Sequence, residues 1–175
     1  MTPQPLQADC NACVGLCCVA LPFDAEQGFG FDKPAQTPCP HLQTDFRCAI
    51  HTELAAQGFS GCVAFDCHGA GQRTTRMFGL RPDWSRPDPI TPDMFEAFFI
   101  LRRLHELLLL ATTTQRYLQG RHLEQLNSWL EPWQSRLDAL CLQGLPGLRS
   151  VDLPREQAFL KQLLDPLRHR PRPIQ

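Results

Sequence analysis

The chain has 175 residues, 17 Lys and Arg against 18 Asp and Glu, and a formal net charge of −1, with 43% hydrophobic residues. That length suits one domain, or one with a small appendage, and the charge balance supplies no field to draw in nucleic acid or an anionic membrane. Residues 1–90 carry six basic against nine acidic side chains and 91–175 eleven against nine, too small a difference to indicate a partner.

Residues 1–8 read as a frayed lead-in with two prolines. They have neither the basic start nor the apolar stretch of a secretory signal. The longest strongly apolar run, Leu107 to Ala111, is far short of the roughly 20 residues that span a bilayer. These features predict a soluble, cytoplasmic protein with no membrane partner. In a reducing compartment, clustered cysteines point to metal binding or redox chemistry rather than to structural disulfides.

The cysteines are clustered. Eight of nine fall in the first 67 residues, at Cys10, Cys13, Cys17, Cys18, Cys39, Cys48, Cys62 and Cys67, and all eight are candidate metal ligands. The first four are spaced Cys-x2-Cys-x3-Cys-Cys. An x2 spacing suits a tight turn in which two sulfurs converge on one metal, and Gly15 lets the backbone pass close by. Val19 to Phe31 allows two short strands about a polar turn at Asp24–Gly28. Asp32 to His41 is proline-rich loop, and Pro38 and Pro40 stiffen the backbone around Cys39. Thr52 to Gln57 reads as a short helix ended by Gly58, followed by Cys62 and Cys67 with four residues between them. His68 to Gln72 is a second loop of close approach, and the β-branched stretch Thr74–Phe78 closes this half.

Residues 81–92 contain four prolines and mark the clearest boundary. Thr91 is a suitable N-cap, with Pro92 in the first turn and Asp93 and Glu96 facing the positive helix end. This helix should run to about Leu118 and stop at Gly120. Its apolar residues (Phe95, Phe98, Phe99, Leu101, Leu104, Leu107, Leu108, Ala111) cover more than one stripe, so it should be covered on two sides. Arg121 to Leu142 should be helical with Leu123, Leu126, Leu130, Trp133, Leu137 and Leu140 inward, and Pro132 should kink or split it. Gly144–Gly147 reads as loop. A last helix from Asp152 and Pro154 should bury Phe159, Leu160, Leu163, Leu164 and Leu167.

Disulfides, zinc and an iron–sulfur cluster compete for the eight thiols. Adjacent Cys17 and Cys18 have Cα atoms about 3.8 Å apart, below the usual disulfide window of about 4.4–6.8 Å. Neighbouring side chains also tend to diverge, so these two thiols are expected to face different partners. About 60 Gly- and Pro-rich residues can barely support a core alone, whereas a structural metal contributes about 10–16 kcal/mol in small zinc modules. Arg47, Arg73 and Arg76 lie near the thiols in sequence and could offset thiolate charge. Zinc would draw two tetrahedral sets from the eight Cys, or substitute His41, His51 or His68. A four-iron cluster takes four Cys and leaves four to explain. The run Cys10-x2-Cys13-x3-Cys17 resembles the close three-ligand runs of cubane clusters and tilts the reading towards iron–sulfur.

The same residues carry a family resemblance. Cys10-x2-Cys13-x3-Cys17-Cys18, Cys39-Pro-His-Leu42, Cys48-Ala-Ile-His51 and Cys62-x4-Cys67 resemble the bacterial zinc- or iron-chelating cysteine-cluster family. The match departs at Phe59-Ser-Gly61, where that family usually has Arg-Pro before its penultimate cysteine. A closer resemblance is to the N-terminal module of certain pentapeptide-repeat proteins, over about Asp9 to Leu164; the repeats themselves are absent here. What the resemblance implies is metal chelation or an iron–sulfur cluster, with no assigned activity.

Plainer readings hold elsewhere. Cys18 could be a packed thiol, and Cys141, between two leucines, reads as core. His51, His41 and His68 read as histidines bonded near the site rather than as ligands, and the His68 loop could offer backbone N–H to sulfur. His105 reads as a satisfied interface histidine. Gly69-Ala-Gly71 lacks the strand-to-helix context of a nucleotide loop, and no paired carboxylates or other catalytic constellation is visible. The Leu-rich helix reads as core rather than as a dimer seam.

The expected architecture is mainly α. An irregular Cys-rich, metal-stapled module (1–80) and a Pro-rich connector (81–91) precede a small helical bundle (92–168) and a disordered tail (169–175). The expected function is an iron–sulfur protein in electron transfer or redox sensing. A zinc-stapled module that binds a protein partner is the alternative.

Overall fold

The apolar run from Met94 to Ala111 folds as one long helix, and the rest of the chain packs around it. The computed structural model describes residues 6–79, 81–86 and 90–168, the side chains of Gln134 and Arg168 excepted. Over these residues the protein is mainly helical, and no strand forms. Its helices are α1 (Leu16–Ala20), α2 (Ser60–Ala64), α3 (Ala70–Phe78), α4 (Thr91–Thr114), α5 (Gly120–Leu130), α6 (Trp133–Leu142), α7 (Gly144–Arg149) and α8 (Leu153–Arg168). No helix among the described residues is long and apolar enough to cross a membrane.

α4 buries Met94, Phe95, Ala97, Phe98, Leu101, Leu104, His105, Leu107, Leu108 and Ala111. That is too wide for one stripe. α3, α1 and α7 meet it towards its N-terminal half, and α5 and α8 cover its C-terminal half. One core joins Val14, Leu16, Val19, Ala20 and Ala70 to Phe95, Phe98, Leu101, Trp133 and Leu148. A second joins Leu107 and Ala111 to Leu118, Leu126, Leu160, Leu163 and Leu164. Each fully buried Leu or Phe contributes about 1.5–3 kcal/mol through lost water contact. Because the first core mixes residues from both halves, the cysteine-bearing segments are seated on α4 by hydrophobic packing.

Several expectations change. Val19–Phe31 is not a strand pair: its start belongs to α1, and only the isolated antiparallel bridge Phe23–Lys33 survives. A two-stranded pairing this short cannot outcompete a helical turn that buries Leu16, Val19 and Ala20 on α4. Thr74–Phe78 is helical within α3, where Thr74 and Thr75 return their hydroxyls to the carbonyls of Ala70 and Gly71 at 2.9 and 3.0 Å. Thr52–Gln57 is a 3-10 turn, His51–Glu53, followed by turns rather than a regular helix. Thr91 is the first residue of α4 and not its cap, which is Ile90. α4 ends earlier than expected, at Thr114, where three β-branched residues bond their hydroxyls back to Leu108, Leu109, Leu110 and Ala111 and the chain tightens into a 3-10 turn, Gln115–Tyr117.

Pro132 splits the next stretch into α5 and α6, as its missing N–H requires. Gly144–Gly147 is helix α7 and not loop, because burying Leu145 and Leu148 against α4 outweighs the low propensity of Gly and Pro. Asp152 caps α8, accepting from the Arg155 amide at 3.0 Å. Phe159 is exposed on α8, although its ring stacks on Trp129 at 6.3 Å. Residues 1–5, 80, 87–89 and 169–175 lie outside the described residues, and with them part of the lead-in, part of the proline-rich connector and the expected tail.

Candidate metal centre

All nine cysteines are free thiols, and none is paired as a disulfide. Eight of them, Cys10, Cys13, Cys17, Cys18, Cys39, Cys48, Cys62 and Cys67, line one cavity of about 430 Å³. Cys141 is the exception, as expected: it sits half-buried on α6, where the Arg73 guanidinium faces it. As the side chains stand, no three His, Cys, Asp or Glu groups among the described residues converge tightly enough to hold a metal ion. The sulfurs line the wall of the chamber.

Four pieces of backbone carry them. Cys10 lies in a 3-10 turn, Cys10–Ala12, capped by Asp9, whose side chain accepts from the Asn11 amide at 2.9 Å. Gln72 of α3 clamps this turn, accepting from the Asp9 amide at 3.1 Å and donating to the Gln7 carbonyl at 2.8 Å. Cys13 follows, and Val14 is held on both sides, its amide by Thr75 Oγ1 at 3.2 Å and its carbonyl by Trp84 Nε1 at 2.8 Å. Gly15 turns the chain at φ 73° into α1, which carries Cys17 and Cys18. The two neighbouring thiols do not diverge as expected: their sulfurs are 3.9 Å apart. Both reach the cavity from the start of a helix wedged against α4.

Cys39 and Cys48 sit at the two ends of one tight loop. The Cys39 amide donates to the Cys18 carbonyl at 3.0 Å, Leu42 bridges Cys48, and the Ala49 amide donates to the His41 carbonyl at 2.8 Å. Cys62 lies on α2, tied down by the Gly61 amide on the Gly28 carbonyl at 2.7 Å. Cys67 precedes α3 in a loop where His68 has φ 51° and Gly69 φ 85°. A left-handed His costs free energy unless its surroundings hold it. Here the His68 amide donates to Asp66 Oδ1 at 2.7 Å, and His105 Nδ1 of α4 donates to the His68 carbonyl at 2.6 Å. That second bond fixes the His105 tautomer and leaves its Nε2 buried with no partner.

The surroundings of the thiols favour their neutral form. Burial pushes the Cys13 and Cys62 thiols up to about 11, and raises Cys10, Cys39 and Cys67. Cys17 is pushed well up, first by its hydrogen bond with Cys18 and then by burial. Metal ligation requires thiolates, so this wall needs positive charge to become anionic. Some is built in: Arg47 lowers Cys10, and Lys33 lowers Cys39. Backbone N–H groups help as well, those of Leu16 and Gly15 at Cys13, His41 at Cys39, and Gly71 and Gly69 at Cys67. The loop donors expected beside His68 are therefore present. Gly71 also leaves a cradle, since a Cβ there would sit 2.8 Å from Cys13 Sγ and 3.6 Å from Cys67 Sγ. The donor set, its N–H partners and this cradle fit a thiolate-held metal.

Replacing Gly71 with alanine should therefore displace the Cys13 sulfur, while the Cys67 sulfur stays in ordinary contact. The expected outcome is a helical protein that loses stability by about 1–3 kcal/mol and retains less metal than the wild type, read by elemental analysis. Unchanged metal content would mean that Cys13 does not need this approach.

Among the histidines, His41 is packed edge-on against Phe59 at 5.4 Å and tilted against Phe31 at 6.1 Å. His51 is exposed, although both reach the cavity wall. Arg73 pairs with Asp138 at 2.7 Å, which directs it to Cys141 rather than to the cavity. Reading the sequence missed Lys33. It is 4% exposed, and its ammonium lies near four carbonyls. The available signal was compositional: it is one of two lysines among 17 basic residues.

One comparison with a known protein gives a match. Over 103 residues, 59% of this chain, the sequence is 45% identical to "Uncharacterized protein YybG" of Bacillus subtilis (strain 168). The matched segment spans 37% of that protein's length. No family model matches the chain, and no solved structure matches it.

Proposed function

We propose that this chain is a metal-binding protein whose cysteine-bearing segments close on an iron–sulfur cluster, and that it serves electron transfer or redox sensing in the cytoplasm. The observation that carries the reading is the gathering of eight thiols, from four separate backbone segments, on one cavity of about 430 Å³. Uncompensated, such a wall is unfavourable to thiolates; a cluster held by cysteine supplies the missing positive charge. Its chemistry would be one-electron exchange tuned by the N–H groups aimed at sulfur and by the surrounding apolar wall. The resemblance to the cysteine-cluster family and to the pentapeptide-repeat modules supports the same reading.

Zinc is the second reading, favoured by the nitrogen and oxygen donors His41, His51 and Asp66 on the same wall. In that case the metal staples the fold, and the helical face serves a protein partner.

Anaerobic purification followed by visible spectroscopy and measurement of iron, sulfide and zinc per chain decides between them. The expected result is a coloured protein with matching iron and sulfide. Colourless protein with stoichiometric zinc would establish the second reading, and a folded, metal-free protein would remove both.

A further inference from the structure

The thiols of the chamber stand on two parts of the chain that are held in different ways. Cys10, Cys13, Cys17, Cys18 and Cys67 belong to segments locked to α3 or α4. Val14, Leu16, Val19, Ala20 and Ala70 enter the first core, Gln72 clamps the Cys10 turn, and His105 holds the loop after Cys67. Residues 22–65 carry Cys39, Cys48 and Cys62. Among the described residues, this segment places no buried side chain in either core, and only half-buried Leu42 and Phe46 pack against the first.

The segment has an interior of its own instead. Phe23 stacks on Phe29 at 5.0 Å and lies 6.0 Å from Phe31, and Phe59 meets Phe31 and His41 edge-on at 5.5 and 5.4 Å. The Gly61 amide on the Gly28 carbonyl at 2.7 Å ties the α2 end back to the first limb. Its seam with the rest of the protein runs along Gly15–Leu21. There the Gln36 amide donates to the Ala20 carbonyl at 3.3 Å, the Cys39 amide to the Cys18 carbonyl at 3.0 Å, and Lys33 reaches the Val19 and Leu21 carbonyls. Leu42 lies over Gly15 on the same seam, and the Arg81 guanidinium covers the Phe46 ring at 4.8 Å. The segment also forms one side of the chamber, since its three thiols line the same cavity as the five held by the helices.

We propose that residues 22–65 are a metal-gated leaf: metal that draws thiolates from both sides of the chamber holds it closed, and metal loss frees it along the Gly15–Leu21 seam while the helices stay folded. This rests on the metal-binding reading above and adds the structural signal that metal loss produces. About 40 residues around one small cluster of rings lie near the size at which a chain needs a metal, disulfides or a partner to stay folded. The cysteines here form no disulfide. The five thiols on the helical side are placed by packing that persists without metal, so the low-stability unit is the leaf alone. No particular ligand set is required, only that the metal takes thiolates from both sides.

Hydrogen exchange of the full chain, read by peptide mass spectrometry on anaerobically purified protein before and after chelation, tests the gating. The reporters are the amides of Phe23 and Lys33, each bonded to the other's carbonyl, and those of Ala49 and Gly61. On metal removal they should exchange at least about tenfold faster. Peptides from 14–20, 70–78 and 91–114 should be unchanged, and circular dichroism should show the helices intact. The triple variant Cys39→Ser, Cys48→Ser, Cys62→Ser should exchange in the leaf like the stripped wild type without any chelator. Leaf amides that exchange alike with and without metal overturn the gating and leave the metal-binding reading standing, whether or not the variant folds. Faster exchange that spreads to α3 and α4 also overturns it, because the metal then supports the whole fold. A folded variant whose leaf is as protected as the loaded wild type does the same. Purified protein that holds no iron or zinc by elemental analysis overturns the reading beneath it.

Discussion

Replacing Lys33 with methionine is expected to lower unfolding free energy by about 3 kcal/mol, measured by urea denaturation at neutral pH. The bridge between Phe23 and Lys33, with amides donating both ways at 2.9 and 3.1 Å, aims the lysine back under α1. Its ammonium then donates to the carbonyls of Leu21 at 2.6 Å, Thr37 at 2.7 Å and Pro34 at 3.1 Å, with Val19 at 3.4 Å, and lies 4.6 Å from the centre of the Phe23 ring. Two of these carbonyls belong to the end of α1, which no later turn satisfies. The other two belong to the loop that leads to Cys39. Methionine keeps most of the stem and removes every donor, so several half-buried carbonyls lose their partner together. Arginine should not rescue the loss, because a planar fork cannot aim at carbonyls around a point as three rotatable ammonium protons do. Burial lowers the ammonium's proton affinity, while Cys39, Cys18 and Cys17 raise it, so the same substitution also removes a cation from the thiol wall. A loss below about 1 kcal/mol would show that water replaces the ammonium.

The helical half was legible because its signals are local. Pro92, the wide apolar girth of Phe95 to Ala111, Pro132 and the Asp152 cap each act within a few residues, and each has the predicted structural effect. α7 was not legible, because Gly144 and Pro146 argue against helix and only packing of Leu145 and Leu148 overrules them. The cysteine half shows the opposite pattern. Its residue types announced a common site, and all eight thiols do line one cavity. How they are aimed depends on distant partners: Gln72 on Asp9 across 63 residues, Trp84 on Val14 across 70, His105 on His68 across 37. No spacing rule encodes those. Short stretches such as Val19–Leu21 and Thr74–Phe78 have too few residues for a period to separate helix from strand, and burial decided them.

His105 makes the protein acid-sensitive, because its ring is buried beside other positive groups. It is 3% exposed, and its Nδ1–H is committed to the His68 carbonyl at 2.6 Å. Burial pulls its pKa down to about 4, and nearby Arg73 and His68 oppose a further positive charge. The unfolded chain would protonate near the ordinary 6.5. Between those values the unfolded state binds the extra proton and the folded state does not, so stability falls as pH drops from about 6.5 to 4 and levels off below. The span of about 2.5 units corresponds to roughly 3 kcal/mol. Denaturation curves at pH 7 and pH 4.5 should show most of that loss in the wild type. The carboxylates of Glu96 and Asp83, held low by Arg149 and Ser85, add their own dependence only at the acid end. The variant His105→Asn separates the contributions, because an amide nitrogen near the Nδ1 position can still donate to His68 but cannot titrate. Its stability should change less between the two pH values, by roughly the same 3 kcal/mol. Equal pH dependence in the two proteins would place the acid sensitivity elsewhere. If the dependence tracks His105, the cost is that of a positive charge at its buried, unpartnered Nε2, because the Nδ1–H bond to the His68 carbonyl persists in the imidazolium.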